Sequence, residues 1–164
     1  MGFMPDHLCL RNRQRAHSVD LRLLRRISRA LVKELGPRKN FEIGIYLVEP
    51  AEIARLNEEF LCHLGPTDVI TFNYSPSGQA ERLEGEIVIC VNEAITQARR
   101  FGTSWPSEVV RYLVHGLLHL LGYDDQTAAA RRIMKREEDR LVLDLERRFD
   151  LAELAKRLPF RREV

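Results

Sequence analysis

The stretch His115-Gly116-Leu117-Leu118-His119-Leu120-Leu121-Gly122-Tyr123-Asp124-Asp125 decides how the rest of this chain is read. Two histidines stand four residues apart inside an apolar run. That spacing is just over one helical turn, so both imidazoles leave the same face of a helix. Gly122 offers a place for the helix to stop, and an acidic residue follows three positions later. Two ligands on a helix, a glycine turn and a third ligand folding back form the pattern of a metal site. The H-x3-H-x2-G-x2-D spacing is that of the metzincin zinc motif with Asp125 in place of the third histidine.

The helix expected over Ser107–Leu121 is apolar nearly all round, which marks it as buried. Histidines on a buried helix need internal partners, because an unpaired buried imidazole is costly. Ligation by His115, His119 and Asp125 of one divalent ion, zinc by the donor set, meets that need. Three protein ligands leave an open position for water, whose pKa zinc lowers to about 7. Aspartate makes the site less cationic than a third imidazole, so a weaker Lewis acid or a different divalent ion is expected. Asp124 reads as a turn residue. Zinc peptidases carry a glutamate general base after the first histidine; here that position is Gly116, which argues against peptide hydrolysis.

Working outward, the order of elements points to an α+β fold, a mixed sheet covered by helices. Strands are expected at 8–12, 41–48, 67–74 and 84–91, from alternating or continuous β-branched runs. Helices are expected over 19–35 (capped by Ser18, ended by Gly36-Pro37), 50–60 and 92–101 (capped by Asn92, closed by Gly102). A further one, 127–149, should turn Ile133, Leu141, Leu145 and Phe149 inward. Ile53, Leu56 and Phe60 should face the core from the second helix. Trp105 reads as a hydrophobic staple before Pro106. Residues 75–82 read as a loop. Residues 1–150 are expected to form one domain, with 151–164 as a helical extension or tail.

The 164 residues carry 45% hydrophobic and 30% charged side chains, as soluble globular proteins do. No run is long enough to span a membrane, and the N-terminus lacks an apolar signal region. Three widely spaced cysteines give no disulfide framework, which points to the cytoplasm. Charge is uneven: +7 over residues 1–40, −6 over 41–120 and +1 over the remainder. A basic end can serve as a landing surface for a polyanion.

These residues, with two further segments, resemble the YbeY family of bacterial rRNA maturation factors, which are metal-dependent endoribonucleases. The family hallmark HGxLHLxGYDH corresponds to HGLLHLLGYDD here. A family stretch of the form LNxxYR…PTDVLSF corresponds to Leu56-Asn57-Glu58-Glu59-Phe60-Leu61 and then Pro66-Thr67-Asp68-Val69-Ile70-Thr71-Phe72. A GDIxI-type strand corresponds to Gly85-Glu86-Ile87-Val88-Ile89, and order and spacing hold from about residue 8 to 148.

The resemblance implies a mixed four-stranded sheet with several helices and a zinc-type site at His115, His119 and position 125. It also implies single-strand cleavage of rRNA precursors, ribosome quality control and association with the small subunit. Two departures stand out: Asp125 replaces histidine, and the family's catalytic arginine falls on Leu61, leaving the catalytic residue unassigned. Arg13 and Arg15, after the first strand, are the candidates for phosphate contact. Two other readings remain at this point. One is a non-catalytic ribosome-associated factor with a structural metal; the other is a metallohydrolase of another class.

Overall fold

The computed structural model describes residues 6–35, 40–75 and 82–156. Its elements run β1 (His7–Asn12), α1 (Leu21–Leu35), β2 (Phe41–Val48), α2 (Pro50–Leu61), β3 (Val69–Asn73) and β4 (Leu83–Cys90). Then come α3 (Val91–Phe101), α4 (Trp105–Leu120), α5 (Ala128–Arg148) and a 3₁₀ turn at Leu151–Leu154. The four strands form one mixed sheet in the order β1-β2-β4-β3. The β1–β2 and β2–β4 pairs are parallel, and β3 runs antiparallel to β4. The α+β expectation holds.

Both faces of the sheet are covered. The larger core gathers Leu24, Ile27 and Leu31 of α1, Ile43, Ile45, Ile87 and Ile89 of the central strands, and nearly every apolar residue of α4. A smaller cluster on the other face joins Ile53 of α2 to Val48, Ile70, Val88 and Cys90. Strands buried on both sides must be apolar at successive positions, as Ile87-Val88-Ile89-Cys90 is. Among the described residues no helix is long and apolar enough to cross a membrane.

Helix α4 sits at the centre, against β3, β4, α3 and α5. Two glycines let it lie close to the sheet. A Cβ on Gly116 would meet Ile87 Cγ2 at 2.6 Å and Thr71 Oγ1 at 3.1 Å. One on Gly85 would meet Leu120 Cδ2 and the Phe72 carbonyl oxygen, both at 2.5 Å. The position where a peptidase carries its glutamate therefore has no room for any side chain.

Several local expectations are corrected. Asp20, not Ser18, caps α1, accepting from the amides of Arg22 and Leu23 at 3.0 and 3.1 Å. Helix α3 begins at Val91, so Asn92 lies inside the first turn and Cys90 takes the cap position. Phe60 is 57% exposed, its ring edge-on to Phe72 of β3. In α5 the buried row is Met134, Glu138, Leu141 and Leu145, while Ile133 points to solvent. Trp105 is the first residue of α4, against His17, with Ser104 as the cap. Past the expected boundary at 150, residues 151–154 form a 3₁₀ turn whose Leu151 and Leu154 are buried, and Val19 pairs with Ala155, while residues 157–164 of the expected extension or tail lie outside the described residues. The Gly36-Pro37 stop and most of the 75–82 loop fall outside the described residues.

A Gly116→Ala substitution should destabilise the protein by about 1–3 kcal/mol, the usual cost of overpacking a filled core. Urea unfolding of Gly116→Ala, Ile87→Ala and the double variant checks the cause. The double should be less destabilised than the sum of the singles, because removing Ile87 Cγ2 vacates the space the new methyl needs.

Candidate metal centre

The end of α4 is built to aim its second histidine. Leu121 ends the helix, and Gly122 adopts φ of +97°, a left-handed conformation that glycine accepts without penalty. The Gly122 amide donates to the His119 carbonyl at 3.0 Å, and the Tyr123 amide to the Leu118 carbonyl at 3.1 Å. This pair of bonds is a Schellman closure, and it satisfies two orphan carbonyls. It also turns the Tyr123 carbonyl back toward the helix, where it accepts from His119 Nδ1 at 3.0 Å.

His115 is oriented from the other side. Its Nδ1 lies 2.9 Å from Glu138 Oε2 of α5. Glu138 is nearly buried, and its second oxygen accepts from Arg111 at 2.7 Å; Arg111 also donates to Asp139 at 2.7 Å. Burial alone would push the Glu138 carboxyl up, but His115 and Arg111 hold it below the usual carboxylate range. Burial likewise opposes charge on His115, yet Glu138, with Asp125 and Asp68 further off, raises its pKa above the ordinary histidine value.

Both Nδ1 atoms face oxygens that only accept, so both must carry the proton. Each Nε2 then presents a lone pair, and the two lie 3.1 Å apart. Facing lone pairs repel unless a proton or a cation lies between them. Asp125 Oδ2 stands 3.8 Å from His119 Nε2 and 4.0 Å from His115 Nε2. A circle through these three atoms has a radius of about 2.1 Å, the length of a zinc–nitrogen bond. These three residues form the described group of side chains able to share a metal ion. Asp124 accepts from the Gln126 amide at 3.1 Å, as a turn residue does.

The centre opens on a cleft of about 870 Å³, lined by His115, Asp125 and Glu138 and by cations of α5. Sequence reasoning missed Glu138 and Arg111 as orienting groups. It also missed Arg131, Arg132, Lys135 and Arg136, whose repeat over two turns was the available signal. Arg13 and Arg15 are not brought to the histidines. They follow β1, at the sheet edge opposite β3; Arg13 pairs with Glu52 at 2.9 Å and lies over the Tyr46 ring, and the Arg15 amide donates to Glu49. Leu61, in the position of the family arginine, is an exposed residue at the end of α2. Thr67 donates to the Asp68 carboxylate, which also accepts from the Val69 amide and so opens β3.

Alanine at His115 or His119 should abolish stoichiometric binding of a divalent ion, read by chelator competition on protein that keeps its circular dichroism. Glu138→Gln should weaken that binding by about 10–100-fold, the range seen when the partner of a ligating histidine is removed. Unchanged affinity in Glu138→Gln would mean that the carboxylate serves packing alone.

Comparison with known proteins bears on the family and the fold. The family model described as Endoribonuclease YbeY matches residues 10–146. A relative named Endoribonuclease YbeY from Chlorobaculum tepidum is 36% identical over 128 residues, covering 78% of this chain and 90% of its own length. Another so named, from Salinibacter ruber, is 32% identical over 144 residues, covering 84% and 91%. A protein from Thermotoga maritima with a known solution structure shares the fold, at a TM-score of 0.64 and 23% identity, covering 94% of this chain and 99% of its own. With the family model spanning most of the sequence and the sheet order, the buried HxxxH helix and the glycine turn in place, the chain belongs to the YbeY family.

Proposed function

We propose that this protein is a metal-dependent endoribonuclease that cuts single-stranded RNA in the maturation of ribosomal RNA. The observation that carries the reading is the convergence of His115 Nε2, His119 Nε2 and Asp125 Oδ2 on one point at the wall of an open cleft. Two imidazoles and one carboxylate are a donor set that zinc accepts, and one that other first-row divalent ions accept as well. When bound, such an ion acts as a Lewis acid on a phosphoryl oxygen and lowers the pKa of its water.

The chain's own residues prepare that chemistry. Glu138 and the Tyr123 carbonyl fix the tautomer of each histidine, so that both lone pairs point into the site. Arg111 holds Glu138 charged, which strengthens its grip on His115. The Asp125 side chain is the most exposed of the three, which leaves the site open to substrate on its side. A peptidase mechanism finds no support, because Gly116 has no space for the required base. Relatives named as endoribonucleases supply the substrate class. On this reading the protein works beside the small ribosomal subunit, in the cytoplasm.

Incubation of the metal-loaded protein with a single-stranded RNA spanning an rRNA precursor end should give discrete cleavage products. A chelator should stop the reaction, and added zinc should restore it. His119→Ala should lower the rate by about 10²–10³-fold, as loss of a group that stabilises transition-state charge does. Equal cleavage by the metal-free His115→Ala/His119→Ala variant would overturn the reading. Ribosome co-sedimentation with no cleavage at full metal occupancy would instead favour the non-catalytic factor, to which Leu61 in the arginine position points.

A further inference from the structure

We propose that the α5 wall of the cleft binds backbone phosphates of a single-stranded polynucleotide, with Arg132 and Arg136 as its principal cations. The identity of the polymer rests on the endoribonuclease reading; the phosphate chemistry rests on the charges themselves.

Helix α5 starts at Ala128 with no acidic residue in its first turn. Arg131, Arg132, Lys135 and Arg136 follow, all exposed. Their spacing is unfavourable on its own terms. The pairs 131/135 and 132/136 place like charges four apart, where they repel. The cluster also lies toward the positive end of the helix dipole. Where a local rule is broken without a structural gain, a functional use is the usual reason.

Two of the four cations have structural work. Arg131 donates to the carbonyls of Asp125 and Gln126 at 3.1 and 3.4 Å, pinning the loop that carries the third candidate ligand. Lys135 pairs with Asp139 at 2.9 Å. Arg132 and Arg136 have no hydrogen bond or ion pair among the described residues, yet both line the cleft together with His115 and Asp125. The cleft's carboxylates do not neutralise them. Glu138 is held by His115 and Arg111, Asp139 by Lys135 and Arg111, and Asp125 faces the histidines. One helical turn, about 6 Å of rise, separates the two guanidinium-bearing positions. A strand crossing the metal centre would thus meet two forks suited to phosphate oxygens. Their position beside His115 supplies positive charge that Leu61 does not.

The test is binding of a short fluorescent 2′-O-methyl oligouridylate, followed by anisotropy across a salt series without turnover. Each phosphate contact contributes about 0.7 to the slope of log affinity against log salt for a single strand. Arg132→Gln/Arg136→Gln should therefore make the slope shallower by about 1.4 and weaken binding. A DNA oligonucleotide should lose affinity equally, since phosphate contacts carry no base or sugar information. The control Arg99→Gln/Arg100→Gln removes the same charge from exposed positions on α3 and should leave the slope unchanged. A wild-type slope in the α5 double variant, or an equal drop in the α3 control, overturns the proposal. Wild type that binds through these arginines but cleaves no RNA keeps the phosphate site and removes the endoribonuclease reading. Wild type that cleaves, with the slope indifferent to Arg132 and Arg136, does the reverse.

Discussion

Everything at the candidate centre depends on how closely α4 lies against the sheet. That approach exists because Gly116 and Gly85 lack Cβ atoms where Ile87, Thr71, Leu120 and the Phe72 carbonyl need the space. With the helix seated there, the sheet fixes its height and rotation. His115 and His119 then emerge on the side where α5 and the glycine turn can reach them. Packing and chemistry are thus set by one contact. The residue that excludes a peptidase base is the residue that lets the helix dock.

The second layer of control is polar. A buried carboxylate without partners would cost several kcal/mol. Glu138 avoids that by bridging His115 and Arg111, so the bonds that make its burial tolerable also orient the imidazole. His119 is oriented by a backbone carbonyl instead, one placed by the Schellman closure at Gly122. The two histidines therefore answer to different neighbours, α5 for one and the turn for the other. Losing either support disturbs the geometry of both, because their Nε2 atoms face each other.

Much of this was legible in the sequence. Four strands and five helices appear in the expected order, and the HxxxH spacing, Gly122 and Asp125 mark the triad without any coordinates. What was hidden came from tertiary phase. Ile133 and Met134 are adjacent apolar residues, and only packing against α4 decides which one faces inward. An inward Ile133 sets only the first turns of α5 one residue out, with Leu141 and Leu145 buried as expected, and that local shift conceals Glu138 among the charges of Lys135–Arg140. Phe60 differs for a related reason: it continues the spacing of Ile53 and Leu56 but stands in the last turn of α2, more than half exposed, with its ring edge-on to Phe72. Asp20 took the cap of α1 from Ser18 because α1 begins two residues later than expected.

The candidate ligands and their orienting groups, Arg111 through Asp139, all lie in one continuous helix–turn–helix stretch of the chain. Compact sequence separation has a thermodynamic side. The same HxxxH pair remains close together in the denatured ensemble, where it keeps some affinity for a divalent ion. Ligand linkage depends on the difference between native and denatured binding. An ion held by these residues would therefore raise the melting temperature by less than its native-state affinity implies. In return, a segment with such low contact order can gather its ion early in folding, before the long-range parallel pairing of β1 with β2 and of β2 with β4 is complete.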